Sequence, residues 1–143
     1  MSGVIVLGYN GSECAEAALD FTLELAASTG DRVLIAYAAA PVGRGIGDEY
    51  HEMAVALAEI AKGATASALA RAEARGVPAE TVVIEDAPVP GLVELARERG
   101  ARMIVVGTTS ERPLTGLILG ATPYKLLHRS PVPVLVVPLP DES

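Results

Sequence analysis

The sequence predicts an α/β protein: a single-domain, open, five-stranded parallel sheet of the Rossmann-like kind with helices on both faces. Short apolar runs rich in Val and Ile alternate with longer segments of helical character, in the order βαβαβαβαβ. The apolar runs show no polar residue at every second position, which is typical of strands buried on both faces. Right-handed crossovers favour a central first strand, with the fourth strand beside it and away from the second. We therefore expect the strand order 3-2-1-4-5.

Turn residues bound the first strand and the first helix. The β-branched run 3–9 predicts the strand, which ends at Asn-Gly-Ser. Ser12 is placed to cap a helix over 13–28, and Gly30 ends that helix. Residues 31–39 then predict the second strand.

A long, alanine-rich helix is predicted over 48–75 and is stopped by Gly76. Four of its apolar residues recur at steps of three and four, which predicts that they form the buried face. These residues are Met53, Leu57, Ile60 and Ala64.

The second half of the chain continues the alternation. A helix is predicted over 89–100, with Pro90 near its first turn and Gly100 at its end. The remaining segments are strands over 79–86, 102–107 and 132–138 and a helix over 122–130.

Length and composition favour one cytoplasmic domain that spans residues 1–143. The chain has 143 residues and a formal net charge of −7, which argues against a nucleic-acid partner. Cys14 is the single cysteine and has no internal disulfide partner. We find no leader peptide and no apolar run as long as a membrane span, so we expect no membrane contact.

The crevice where the strand order reverses is the expected ligand site. It lies outside the carboxyl ends of the first and fourth strands, at Asn10 and Gly107. The loop after Gly107 leads to a helix in which Pro123 fits the first position and Thr122 fits the N-cap. Residues 120–122 then lie at the positive end of that helix, where free N–H groups suit an anion such as phosphate.

Two segments resemble the universal stress protein family: VLGYNGSE after the first strand, and VVGTTSERPLTGLILGATPYKLLHRSPVPVLVVP near the end. The likeness covers essentially the whole chain. ATP-binding members of that family carry a glycine, two residues, a glycine, nine residues, and a glycine followed by Ser or Thr. Gly107 and Gly120 match the outer glycines, whereas Ser110 replaces the middle glycine and Ala121 replaces the Ser or Thr.

The resemblance also implies a function. The family carries an aspartate after the first strand that contacts the adenosine part of the nucleotide, and Asn10 stands there in this chain. The implied protein is a stress-response regulator that binds ATP or a related adenine nucleotide, with little or no catalysis and with affinity weakened or altered by the three departures. The implied binding residues are Asn10, Ala38 beside the adenine, Gly107, Ser110, Gly120, Ala121 and Thr122.

A second interpretation stays open, in which the chain is a dimeric member of the family that binds no nucleotide and acts through protein contacts. A phospho-receiver domain would need an acidic pair after the first strand, and an ATP-pyrophosphatase would need an SGGxDS-like loop there. The sequence has neither, and it has no Walker pattern, GxGxxG motif or catalytic triad. His51 has no second His or Cys at ligand spacing, so we predict no metal and no catalytic residues.

The terminal strand is expected to form one edge of the sheet. Pro131 and Pro133 lack N–H donors, and we place both on the outer side of the strand. The even-numbered valines of 132–136 are then expected to pair with the fourth strand, leaving Leu135 and Val137 on the other edge. The resemblance implies that this strand pairs with its copy in a second subunit to form a homodimer.

Overall fold

The computed structural model describes residues 3–39, 47–108 and 121–140. Within these ranges the strands are β1 (Val4–Gly8), β2 (Arg32–Ala38), β3 (Ala79–Ile84), β4 (Met103–Gly107) and β5 (Val134–Val137). The helices are α1 (Glu13–Thr29), α2 (Asp48–Ala74), α3 (Pro88–Arg99) and α4 (Ala121–Arg129). Every predicted strand and helix is present, and no end differs from the prediction by more than two residues.

The five strands form one parallel sheet with the order β3-β2-β1-β4-β5, which confirms the predicted fold class and strand order. Alternate residues of the central strand serve opposite cores. Ile5 and Leu7 belong to the core under α1 and α2, and Val6 belongs to the core under α3 and α4. The sheet is therefore covered on both faces, as its continuous apolar strands require.

The ends of α1 follow the predicted capping chemistry. The Ser12 side chain accepts a hydrogen bond from the Ala15 N–H at 3.2 Å. Gly30 follows the helix with a φ of 81°, and its N–H donates to the Ala26 carbonyl at 2.8 Å. The helix is thus fixed at both ends by residues that the sequence identifies.

The buried face of α2 differs from the prediction. Its buried residues are Ala61, Thr65, Ala68 and Ala72, whereas Met53 is 50% exposed and Ile60 is 59% exposed. Leu57 and Ala64 are half-buried, and Ala64 packs against the core, so the prediction is wrong at Met53 and Ile60. Small side chains let the helix approach the sheet closely, so alanines form most of the contact. No residue of the first part of α2, over 48–60, is buried.

By length and composition alone, α2 has the properties of a membrane span, contrary to the sequence-based expectation. An 18-residue window of the helix has a mean hydropathy of 1.3, and 17% of that window is buried inside the protein. Alanine accounts for this hydropathy, because it is apolar and frequent in the helix. In the structure α2 packs on β2 and β3 and binds α1 through Arg71.

At the amino end of the sheet, one buried carboxylate joins three strands. Asp31 precedes β2 and is 1% exposed. It accepts hydrogen bonds from the Gly3 N–H at 2.7 Å and from the Thr29 hydroxyl at 2.8 Å, and Arg102 lies 3.4 Å away. Burial alone would raise the pKa of Asp31, but these two hydrogen bonds and the charge of Arg102 together lower it.

The free edge of β5 is the reverse of the predicted one. The Pro133 carbonyl accepts a hydrogen bond from the Ile104 N–H at 3.0 Å, so Pro133 faces β4. Since alternate residues direct their N–H and C=O groups to the same side, Leu135 and Val137 also face β4, and the even-numbered valines face outward. Proline is compatible with the side that faces β4, because the first hydrogen bond between β4 and β5 uses the carbonyl of Pro133 and not an N–H.

Candidate functional site

A cavity of about 300 Å³ lies at the carboxyl ends of β1, β2 and β4. The helices that follow β1 and β4 pack on opposite faces of the sheet, since α1 belongs to one core and α4 to the other. This divergence opens a crevice between the two strands, which is where open α/β sheets bind ligands. A cavity therefore lies where the sequence predicts the ligand site.

One side of the cavity is apolar. It is formed by residues of the strands and by side chains of α3, and it offers an uncharged surface to a ligand. Its members are Ala36, Ala38, Pro88, Leu92 and Val106.

Polar side chains and two helix starts border the cavity from both faces of the sheet. Asn10 and Ser12 come from the loop before α1, and Thr122 comes from the first turn of α4. Among the described residues that line the cavity there is no Asp, Glu, Lys, Arg or His. The described wall therefore offers neutral hydrogen-bonding groups and the first turns of two helices, whose N–H groups have no partner within the helix.

The loop before α1 has a fixed geometry. The Asn10 Oδ1 accepts a hydrogen bond from the Ser12 N–H at 3.0 Å, and Gly11 between them has a φ of 77°. This is the left-handed region that glycine adopts without strain. The side chain of Asn10 is thus held beside the cavity by the backbone two residues further on.

Packing requires a glycine at position 107, in addition to the predicted role of Gly107 beside a ligand. A Cβ at this position would lie 2.7 Å from the carbonyl oxygen of Cys14 and 2.8 Å from its carbonyl carbon. Both are backbone atoms of the first turn of α1, which cannot move away without disturbing that helix. Glycine at the end of β4 therefore allows α1 to begin against the sheet, with Cys14 Sγ 3.8 Å from Thr108 Oγ1.

The start of α4 differs in detail from the prediction. The helix begins at Ala121, so Thr122 lies inside its first turn and is not the N-cap, and Pro123 is the third helical residue. Proline is compatible with this position because the N–H groups of a first turn have no partner within the helix. Thr122 and Pro123 both line the cavity, so this first turn borders the site as expected.

The sequence does not predict a polar network that lies beside the loop before α1. The Tyr9 hydroxyl donates to Glu16, and Arg71 binds both Glu16 and Asp20, which ties α2 to α1. Burial raises the pKa of Tyr9, and the hydrogen bond to Glu16 and the charge of Glu16 raise it further. Arg71 lies 55 residues from Glu16 along the chain, so no local pattern could have revealed the pair.

The predicted binding residues divide into three groups. Asn10, Ala38, Gly107 and Thr122 are brought together around the cavity. Ala121 starts α4 beside them. Ser110 and Gly120 lie outside the described residues, so their predicted roles stay predictions.

The two histidines lie away from this cavity. His51 is exposed on α2, and His128 lies in the last turn of α4, where its ring contacts that of Tyr124 at 4.9 Å between centroids. In the described ranges, no three His, Cys, Asp or Glu side chains come together as a metal site would require.

Known proteins with the same architecture identify the family. Residues 1–138 match the sequence model of the universal stress protein family. A universal stress protein of Thermus aquaticus is 31% identical over 139 residues, which cover 96% of this chain and 99% of the relative.

Two solved structures share the fold over nearly their whole length. A universal stress family protein from Burkholderia pseudomallei is 30% identical with a TM-score of 0.76, covering 95% of this chain and 96% of that one. A universal stress protein crystallised in complex with cAMP is 29% identical with a TM-score of 0.68, covering 94% and 95%. This chain belongs to the universal stress protein family.

Proposed function

We propose that this protein is a cytoplasmic stress-response regulator that binds an adenine nucleotide in the cavity at the carboxyl ends of β1 and β4. The observation that carries the proposal is the pairing, in one cavity, of an apolar side with the first turn of α4. A nucleotide has two parts that match them: a flat base that suits the apolar side and an anionic phosphate that suits the helix turn. The relative that was crystallised with cAMP supports an adenine nucleotide as the ligand class.

The apolar side fits the base. Ala38 ends β2 and Leu92 lies on α3, and both line the cavity. Small and aliphatic groups of this kind pack against the faces of a purine ring without competing hydrogen bonds. The base therefore lies beside Ala38, as the family resemblance implies.

The first turn of α4 fits the phosphate. Unpaired N–H groups and the helix dipole favour an anion there, and Thr122 adds a hydroxyl that lines the cavity. Ala121 lacks the hydroxyl that ATP-binding relatives carry, which weakens a phosphate contact by about 1.5 to 3 kcal/mol. ATP, ADP, AMP and cAMP all carry the required parts, and ATP is the ligand that the resemblance implies.

We further propose that the protein performs little or no catalysis. Among the described lining residues there is no histidine or carboxylate to act as a general base on an attacking water. Nucleotide occupancy is then a signal to other proteins and not a step in turnover.

A homodimer through β5 completes the proposal. The outward N–H and C=O groups of Val134 and Val136 form an open sheet edge, which a second β5 pairs with most simply. Tyr124 and Leu127 on the adjacent α4 are exposed apolar side chains at 56% and 54%. Light scattering at micromolar concentration is expected to give the mass of two chains, and the mass of one chain would contradict the dimer.

Calorimetric titration of the purified protein with ATP, ADP, AMP and cAMP tests the nucleotide site. Ala38→Leu fills the apolar side of the cavity and is expected to weaken the bound nucleotide about tenfold or more. Ala66→Leu, on the exposed face of α2, is the matched control and is expected to bind as the wild type does. Absence of binding to all four nucleotides would contradict the proposal and favour the interpretation of a dimer that acts through protein contacts alone.

A further inference from the structure

Helix α2 is longer than the sheet on which it packs. Its 27 residues span about 40 Å, whereas the seven residues of β2 span about 23 Å. The buried residues of α2 lie between Ala61 and Ala72, and the Ala64 Cβ is 3.9 Å from the position that a Cβ on Gly11 would take. Residues 48–60, which we call the projecting half, therefore extend past the carboxyl end of the sheet, next to the loop before α1.

The projecting half carries a row of apolar side chains along one side. Its members recur at steps of three and four, so they are neighbours on the helix surface. Three of them are between 39% and 59% exposed, and Leu57 is half-buried. Ala64 and Ala68 continue the row into the second half of α2, where they pack against the core. The same side of the helix is thus covered by the sheet in its second half and exposed in its first. The row consists of Tyr50, Met53, Leu57 and Ile60.

Negative charge surrounds this apolar row. The projecting half has four carboxylates and no Lys or Arg. Glu49 lies one turn before Met53, so a carboxylate flanks the row directly. Lys62, the next basic residue along α2, is paired with Glu59 at 3.6 Å. The carboxylates are those of Asp48, Glu49, Glu52 and Glu59.

The charges discriminate between the surfaces that could cover the row. A second copy of the projecting half would bring carboxylates against carboxylates, in a protein whose net charge is already −7. An anionic membrane surface would be repelled in the same way, because such surfaces attract Lys and Arg. A complementary surface is apolar with a positively charged rim. An amphipathic helix has both properties and packs side by side on another helix.

We infer that the projecting half of α2 is a docking surface for a basic amphipathic helix of another protein. Apolar residues of the partner pack on the row, and its Lys or Arg side chains pair with Glu49 and Glu52. The loop before α1 contributes Asn10 and Ser12 to the cavity wall, so a partner on the projecting half lies beside that wall. The contact itself does not require a ligand in the cavity.

Fluorescence anisotropy of labelled peptides tests the docking surface. The probe is an amphipathic peptide of Leu and Lys, about 18 residues long so that it can form a helix. A peptide with the same Leu positions and every Lys replaced by Glu is the matched probe. We expect the wild type to bind the Lys peptide, and to bind the Glu peptide at least about tenfold more weakly.

Two double variants separate the apolar row from its charges. Met53→Gln with Ile60→Gln is expected to weaken binding of the Lys peptide about tenfold or more, because two apolar contacts are lost. Glu49→Gln with Glu52→Gln is expected to weaken it several-fold at low salt and to match the wild type at high salt. Since all four residues are exposed and glutamine favours helices, the fold is retained, which circular dichroism checks.

Val55→Gln is the matched control. Val55 is 49% exposed on the same part of the helix, but it lies two residues from Met53 and from Leu57 and so faces another side. This variant is expected to bind the Lys peptide as the wild type does. Equal losses in Val55→Gln and in Met53→Gln with Ile60→Gln would overturn the inference, because the row would then have no special role.

The remaining outcomes also decide the identity of the partner. Failure of the wild type to bind the Lys peptide, or equal binding of the two peptides, overturns the inference. A light-scattering mass that falls in Met53→Gln with Ile60→Gln assigns the row to a second copy of this chain and overturns it. Binding to vesicles of phosphatidylcholine and phosphatidylglycerol that the same variant abolishes assigns the row to a membrane and also overturns it. Peptide binding is measured without nucleotide, so failure of the proposed nucleotide site leaves the result unchanged.

Discussion

The two ends of the parallel sheet satisfy their polar groups in opposite ways. At the amino end, the Asp31 carboxylate binds the Gly3 N–H and the Thr29 hydroxyl and lies beside Arg102, so its partners all come from the protein. At the carboxyl end, the same three strands end around a cavity, and the Asn10 side chain that lines it accepts a hydrogen bond from the Ser12 N–H. One end is closed by internal contacts, and the other is open to a cavity.

The difference follows from the topology. Helices α1 and α4 leave the carboxyl ends of two neighbouring strands toward opposite faces, which opens a crevice between those strands. At the amino end, a single carboxylate between the same strands accepts the Gly3 N–H and lies beside Arg102. Mutations that weaken the amino end should therefore change stability, whereas mutations around the cavity should change ligand binding, except where α1 packs on β4.

The largest loss of stability is expected from breaking the amino end. Asp31→Ala leaves the Gly3 N–H and the Arg102 guanidinium without their buried partner, and we expect the free energy of unfolding to fall by about 3 kcal/mol. Urea unfolding monitored by circular dichroism measures this change. Glu73→Ala, an exposed carboxylate on α2, is the control and should change stability by less than about 0.5 kcal/mol. Equal losses in the two variants would contradict the role of Asp31.

The same carboxylate predicts a pH dependence. The folded pKa of Asp31 lies below its ordinary value of 3.8, so its contribution is fully present above that pH and is lost as the pH falls through the folded pKa. The stability difference between the wild type and Asp31→Asn should therefore be constant near neutral pH and shrink below about pH 4. A stability difference between the two proteins that grows as the solution becomes more acidic would contradict the role assigned to Asp31.

A substitution at the carboxyl end of the sheet tests whether the packing of α1 on β4 contributes to stability. Gly107→Ala places a Cβ 2.7 Å from the Cys14 carbonyl oxygen, and we expect it to destabilise the protein by about 2 kcal/mol. Gly63→Ala is the same change within α2, where a Cβ meets nothing within 4 Å, and it should stabilise the helix by about 0.5 to 1 kcal/mol. If both variants are equally stable, the packing of α1 on β4 does not require glycine.

The smallest loss of stability is expected from removing the hydroxyl of Tyr9. Tyr9→Phe removes the hydroxyl that donates to Glu16, while Glu16 keeps its bond to Arg71, so we expect a loss of about 1 kcal/mol. Tyr124→Phe is the control, because Tyr124 is exposed.

Burial and Glu16 keep Tyr9 protonated at pH values where exposed tyrosines ionise. The absorbance titration near pH 10 should therefore be the same in Tyr9→Phe as in the wild type. A titration that loses one phenol in this range would contradict the assigned environment of Tyr9.

Local signals in the sequence were sufficient for the elements and their order. Ser12 and Gly30 act within a few residues of their own positions, and the apolar runs require burial wherever they pair. The alternation of strands and helices then determines the strand order, and with it the place of the cavity at Asn10 and Gly107.

Contacts between distant residues were not predictable in this way. The partners of Asp31 and Glu16 lie up to 71 and 55 residues away in the chain, and nothing near those positions indicates them. The buried face of α2 differs from the prediction because small residues such as alanine permit the closest approach to a sheet, which the spacing of apolar residues does not indicate. The edge of β5 differs from the prediction because Pro133, which lacks an N–H, still pairs with β4 through its carbonyl.

A crystal structure of the protein grown with millimolar AMP tests the central claim most directly. The account predicts a nucleotide in the cavity, with the base against Ala38 and Leu92 and the phosphate at the first turn of α4. A nucleotide bound elsewhere, or a cavity filled by side chains of the protein in the presence of AMP, would contradict it.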